Sequence, residues 1–220
     1  MAYPTVDKPY GLKPINLIGG QVFAGATRQR RIASSAASIG YGDPVELTSS
    51  GTISVSTSTT TPPTAGFAGV FLGCSFVSTV TGQPTFSQAW ISGTSVKSGT
   101  YVTAYVADDP NTLFKAVGVS ASLNVSTTSG FTYEDIGANV ALVDESLNTT
   151  TNDSQRGLLL SSVATTRSLP MRIVDVVEDT AFVSSGTTYY PEVIVKFNAP
   201  YLTSVSLIVG GHAYNNPLGV

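Results

Sequence analysis

Turn-forming residues interrupt this chain about every 8–12 positions, and the runs between them alternate with period two rather than 3.6. Examples are Gly42-Asp43-Pro44, Thr81-Gly82-Gln83-Pro84, Lys97-Ser98-Gly99 and Asp108-Asp109-Pro110-Asn111. Such punctuation leaves no room for long helices and predicts an all-β chain, built as one or two antiparallel sandwich or barrel units. The expected strands are 30–33, 45–47, 53–56, 68–77, 86–92, 101–106 and 113–119 in the first half. The second half should contribute 138–143, 158–163, 171–177, 193–197 and 205–209. Met171 to Val177 and Val193 to Phe197 are the clearest of these. Gly157 and its hydroxyl neighbours argue against a short helix over 153–165, the one place where a helix is conceivable. Thr127-Thr128-Ser129-Gly130 reads as a break, which gives units 32–126 and 131–220, separate or packed as one domain.

Composition supports this and narrows function. Charged residues make up 11% of the 220, against roughly 25% in an average globular chain. Hydrophobic residues make up 42%, so the chain can bury a core and is not disordered. A surface with so little charge repels neighbouring copies weakly and suits permanent assembly. The single cysteine, Cys74, lies in an apolar run, reads as a small buried hydrophobe and excludes an internal disulfide framework. The opening residues carry no signal-peptide pattern, and no apolar run reaches the roughly 20 residues that span a bilayer. Synthesis in a reducing cytoplasm and no membrane partner are the expectations.

The charges are unevenly placed. Lys8, Lys13, Arg28, Arg30 and Arg31 stand against Asp7 alone in the first 31 residues, a net of +4, while the remainder holds six bases against 13 acids, a net of −7. Pro4, Pro9 and Pro14 push their predecessors toward extended backbone. Residues 1–31 therefore read as an extended N-terminal arm whose apolar members, Tyr10, Leu12, Ile15 and Phe23 among them, cover a neighbouring subunit as a strap. Tyr10, Leu12, Lys13, Ile15, Phe23, Arg28, Arg30 and Arg31 are the candidate contact residues.

Catalytic constellations are not visible. One histidine, His212, and many serines allow a triad only by chance combination, and no Gly-x-Ser-x-Gly elbow surrounds a serine. The acidic pairs Asp108-Asp109, Glu134-Asp135, Asp144-Glu145 and Glu178-Asp179 read as solvated turns rather than metal ligands. No phosphate-binding loop is present, and a sequence pI of about 5.0 argues against direct nucleic-acid binding. No enzyme activity, cofactor or metal is expected.

Several stretches resemble virion structural proteins of tailed bacteriophages, especially those of cyanophages. They are Pro9-Tyr10-Gly11-Leu12-Lys13-Pro14-Ile15, Gly25-Ala26-Thr27, Gly42-Asp43-Pro44-Val45, Gly69-Val70-Phe71-Leu72-Gly73, Tyr105 to Asn111, Leu169 to Val174, and His212-Ala213-Tyr214 with Gly219-Val220. The resemblance implies a capsid cement (decoration) protein on the outer capsid surface of the virion, partnered by the major capsid protein. Self-association follows as a second expectation, a homodimer before a trimer. Two other readings stay open: a tail or head-fibre protein of the same particle, and a carbohydrate-binding β-sandwich using Trp90, Tyr101, Tyr105, Tyr189 and Tyr190.

Overall fold

The computed structural model describes residues 6–33, 35–203 and 207–217, and the chain is all-β. In chain order the strands are β1 (Lys13–Leu17), β2 (Arg28–Ile32), β3 (Pro44–Leu47), β4 (Ile53–Val55), β5 (Gly69–Val77), β6 (Pro84–Ser87), β7 (Val102–Ala107) and β8 (Thr112–Val119). Then follow β9 (Asn139–Val140), β10 (Leu142–Val143), β11 (Gly157–Leu159), β12 (Met171–Val176), β13 (Phe182–Ser184), β14 (Thr187–Tyr189), β15 (Glu192–Phe197), β16 (Tyr201–Leu202) and β17 (Ile208–Val209). Three single 3-10 turns are the only helical pieces among the described residues.

The first sheet runs β3-β4-β2-β7-β5-β6, and a further pairing of β3 with β5 closes five of its strands into a ring. β5 makes closure possible by bending. Its register against β7 shifts between Phe71 and Cys74, around Gly73, which is what a bulge does to a strand. At Gly69, φ is +138°, and a Cβ there would lie 2.3 Å from the Ala107 carbonyl oxygen, so only glycine fits. Alternation along β7 points Val102, Ala104 and Val106 inward, where they pack with Ile32, Ile39, Val45, Ile53, Phe71, Cys74 and Trp90.

The second sheet runs β10-β11-β8-β15-β12-β9, with β1 added beside β8. Its two end strands are consecutive pieces of chain parted only by Ala141, so this sheet also returns on itself. Phe114, Ala116, Met171, Ile173, Val193, Val195 and Phe197 fill it. A register shift between Ile173 and Asp175 lets Val176 turn inward and leaves Asp175 outside. Phe197 stacks on Phe67 at 4.7 Å between centroids and tilts against Phe114 at 5.4 Å.

Two expectations change. The turn cluster 108–111 is a crossover between sheets: β7 pairs with β2 and β5, whereas β8 pairs with β1, β11 and β15. The passage between sheets therefore comes before β8, not at 127–130. Turn chemistry reports a reversal in the chain, not whether the flanking strands pair. Nor does the described part of 1–31 form a detached strap. β1 lies on β8, β2 lies on β7, and Gly11 and Leu12 sit at the junction of the two rings. There Gly11 crosses Gly42 so closely that a Cβ on Gly11 would stand 2.7 Å from the Gly42 carbonyl oxygen. The Leu12 amide donates to that same oxygen at 2.9 Å, and the Gly11 amide donates to the Arg156 carbonyl at 3.0 Å.

A buried ion pair holds the same junction. Arg156 and Asp43 are each 3% exposed at the side chain and meet at 3.2 Å, and a second guanidinium nitrogen of Arg156 contacts Asp144. Burial raises the Asp43 carboxyl above its ordinary range, and Arg156 opposes that shift. Of the remaining expected strands, 158–163 becomes β11 followed by a 3-10 turn, and 86–92 overlaps the observed β6 only at Phe86 and Ser87. Part of the expected strand 205–209 lies outside the described residues.

Candidate functional site

Charge, aromatic surface and exposed apolar side chains come together at one corner. β2 supplies Arg28 and Arg30, which lie on the same side of the strand because they are two residues apart. The crossover supplies Asp108. Arg28 Nε stands 2.5 Å from Asp108 Oδ2. The third component, Tyr214, comes from the C-terminal segment: its hydroxyl donates to Asp108 Oδ2 at 2.6 Å and accepts from Arg30. Both guanidinium groups lie over the Tyr214 ring, at 5.4 and 6.0 Å from its centroid. Asp108 raises the Arg28 pKa, and burial followed by the Asp108 hydrogen bond raises that of the Tyr214 phenol.

The C-terminal segment is seated by backbone pairing. Phe67 donates to Gly211 at 2.8 Å, and Ala213 donates to Phe67 at 2.7 Å. Asn216 Nδ2 donates to the Thr64 and Gly210 carbonyls, each at 2.9 Å. His212 is buried beneath, between Phe197 and Tyr214, and its Nδ1 accepts the Tyr214 amide at 3.2 Å. Burial drives its pKa down to about 4, so the imidazole is neutral near pH 7.

A hairpin flanks this corner. The Leu17 amide donates to Gln21 at 2.7 Å, and the Ile18 amide donates to Asn111 at 2.9 Å, which fixes the hairpin to the crossover. Ile18 and Val22 stand 50% and 74% exposed on it, and Tyr214 is 45% exposed. Arg28, Asp108, Asp109, Asn111 and Tyr214 line a depression of about 480 Å³ at the corner.

The structure distributes the eight candidate residues unevenly. Arg28 and Arg30 reach the corner. Arg31 points elsewhere and covers the Tyr101 ring at 4.0 Å, because strand alternation splits the basic cluster. Leu12 is 1% exposed and belongs to the core, so it is unavailable to a partner. Phe23 is half-buried and packs on that core. Tyr10 donates its hydroxyl to the Glu192 carboxylate, which also pairs with Lys115 at 3.2 Å. Lys13 lies 4.5 Å from the Tyr10 ring centroid, and Ile15 is half-buried in β1. Asp108, Tyr214, Ile18 and Val22, which the structure brings to the same corner, are not among the eight candidates. Their signal is tertiary: the partners of Arg28 lie 80 and 186 positions away in sequence.

Among the described residues no three His, Cys, Asp or Glu side chains group as metal ligands, and no serine hydroxyl bonds to His212. Burial pushes the Cys74 thiol up to about 11, away from nucleophilic ionisation. No described helix is long and apolar enough to cross a membrane. Comparison with known proteins gave no match: no family model, no curated sequence and no solved structure resembles this chain significantly.

Proposed function

We propose that this chain is a structural adhesion protein of a tailed-phage particle, a capsid cement protein that binds the outer face of a shell built from the major capsid protein. The supporting observation is the corner of Arg28, Arg30, Asp108 and Tyr214 beside the exposed Ile18–Val22 hairpin. Arginine and tyrosine in a prearranged cluster, next to apolar side chains, are the residue types that dominate protein interfaces. The ion pairs fix the cluster before contact, so little side-chain freedom is lost on binding. The low charge of the chain and its closed sheets agree with permanent assembly, since a closed sheet offers few free strand edges for unintended pairing. Self-association as a dimer or trimer belongs to the same reading.

Particles lacking the protein, mixed with purified chain, test it. The expected result is saturable binding at a copy number set by the shell lattice, with heads that withstand heating better. Ile18→Asp with Val22→Asp, both at exposed positions, should abolish binding without unfolding the chain. Undiminished binding of that variant would remove the corner from the mechanism. Binding at tail stoichiometry instead would favour the tail or head-fibre reading.

A further inference from the structure

At the far end of the β2–β7 ladder from Arg28, where Ile32 pairs with Val102, a second cavity of about 490 Å³ opens. Its volume falls within the roughly 300–1,000 Å³ of small-ligand sites. Two aromatics line it, the buried Trp90 and the 56% exposed Tyr101. The Tyr101 ring is held by Arg31, whose guanidinium carbon lies 4.0 Å from the ring centroid. Hydroxyls line the rest. Thr94 Oγ1 donates to the Ile91 carbonyl at 2.7 Å and Thr100 Oγ1 to the Lys97 carbonyl at 2.6 Å, which orients their lone pairs as acceptors. Ser98 and Lys97 also line the cavity, and among the described residues neither side chain takes part in an ion pair or a hydrogen bond. No carboxylate lines the site, although the chain as a whole is net negative at −3.

We infer that this cavity binds an acidic saccharide, a pyranose bearing a carboxylate. An aromatic ring offers a flat apolar face to sugar C–H groups, fixed hydroxyl acceptors receive sugar hydroxyl protons, and a free ammonium pairs with the carboxylate. Lys97, with no acid beside it in the lining, selects the acidic sugar over a neutral one. The site lies at the other end of the strand ladder from the corner discussed above, and its occupancy is independent of whether that corner binds a shell.

Trp90 is the only tryptophan of the chain and lines the cavity, so its fluorescence reports the site directly. Titration of the full chain with glucuronate should give a saturable change in emission with a Kd on the order of 1 mM, and glucose should bind about tenfold more weakly. Lys97→Glu should remove that preference while leaving the response to glucose. Tyr101→Ala, at an exposed position, should abolish both responses with an unchanged circular dichroism spectrum. No emission change with either sugar, or an unchanged response in Tyr101→Ala, overturns the inference. Equal affinity for the two sugars overturns its acidic part.

Discussion

The two rings close by different means. The first depends on a bent strand: β5 reaches both β3 and β7 only because Gly69 and Gly73 allow it to turn. The second depends on covalent continuity, with residues 139–143 serving as both of its ends. Their interiors differ accordingly. The first holds aliphatic side chains with Phe71 and Trp90, whereas the second carries the cluster of Phe67, Phe114 and Phe197 among its aliphatic residues. A ring closed by bending is vulnerable at its glycines, and a ring closed by continuity is vulnerable in its packing. The Asp43–Arg156 ion pair bridges the two rings at their junction.

The largest effect should come from the second ring. Phe197→Ala removes the side chain that contacts Phe67, Phe114 and His212, and should cost about 3–5 kcal/mol in denaturant unfolding. Hydrogen exchange should rise first in β8, β12 and β15. Uniform acceleration over both rings would show that they do not differ in the way argued. Arg156→Met leaves Asp43 buried without its cation and should also cost about 3–5 kcal/mol. It should split one unfolding transition into two, and adding Asp43→Asn should recover part of the loss.

Gly69→Ala probes the first ring alone. A methyl group 2.3 Å from the Ala107 oxygen, on a residue with φ of +138°, should cost about 1–3 kcal/mol by overpacking and strain. The loss should appear in β3, β5 and β7 exchange, while β12 and β15 stay protected.

Acid acts through His212. Its folded pKa, about 4, lies below the unfolded value of roughly 6.5. The unfolded chain therefore binds the proton first. Stability from the neutral imidazole is complete above pH 6.5 and falls as pH drops toward 4, by on the order of 3 kcal/mol. Asp108 and Asp109 moderate the fall by favouring the charged form. His212→Asn, which keeps an acceptor for the Tyr214 amide, should flatten that part of a pH–stability profile. The smallest effect is Arg31→Ala, which loses the exposed contact with Tyr101, about 0.5–1 kcal/mol, in thermal melts.

Several elements were legible because they depend on local pattern. The alternation in β7, β12 and β15 and the apolar run of β5 each identify a strand whose inward side chains face a core. The hairpin β13–β14 was not anticipated, since Phe182 to Tyr189 mixes hydroxyl and apolar residues without a buried face. At the site, Arg28 and Arg30 were legible as basic residues, and Arg31, grouped with them by sequence, lies over Tyr101 instead because adjacent residues of a strand face opposite sides. Leu12 looked like a contact residue because an apolar side chain in a Pro/Gly-rich segment has the same pattern whether it meets its own core or another chain.

By itself, the sequence determined the class of structure: strand period, turn spacing and scarce charge admit an all-β chain with a sizeable core. Only the tertiary structure decided which strands are neighbours, that 108–111 crosses between rings, and that Tyr214 completes the site of Arg28 and Arg30. The reason is physical. Strand formation follows from side-chain alternation over a few residues, whereas pairing and site assembly depend on contacts between segments whose separation along the chain carries no local signature.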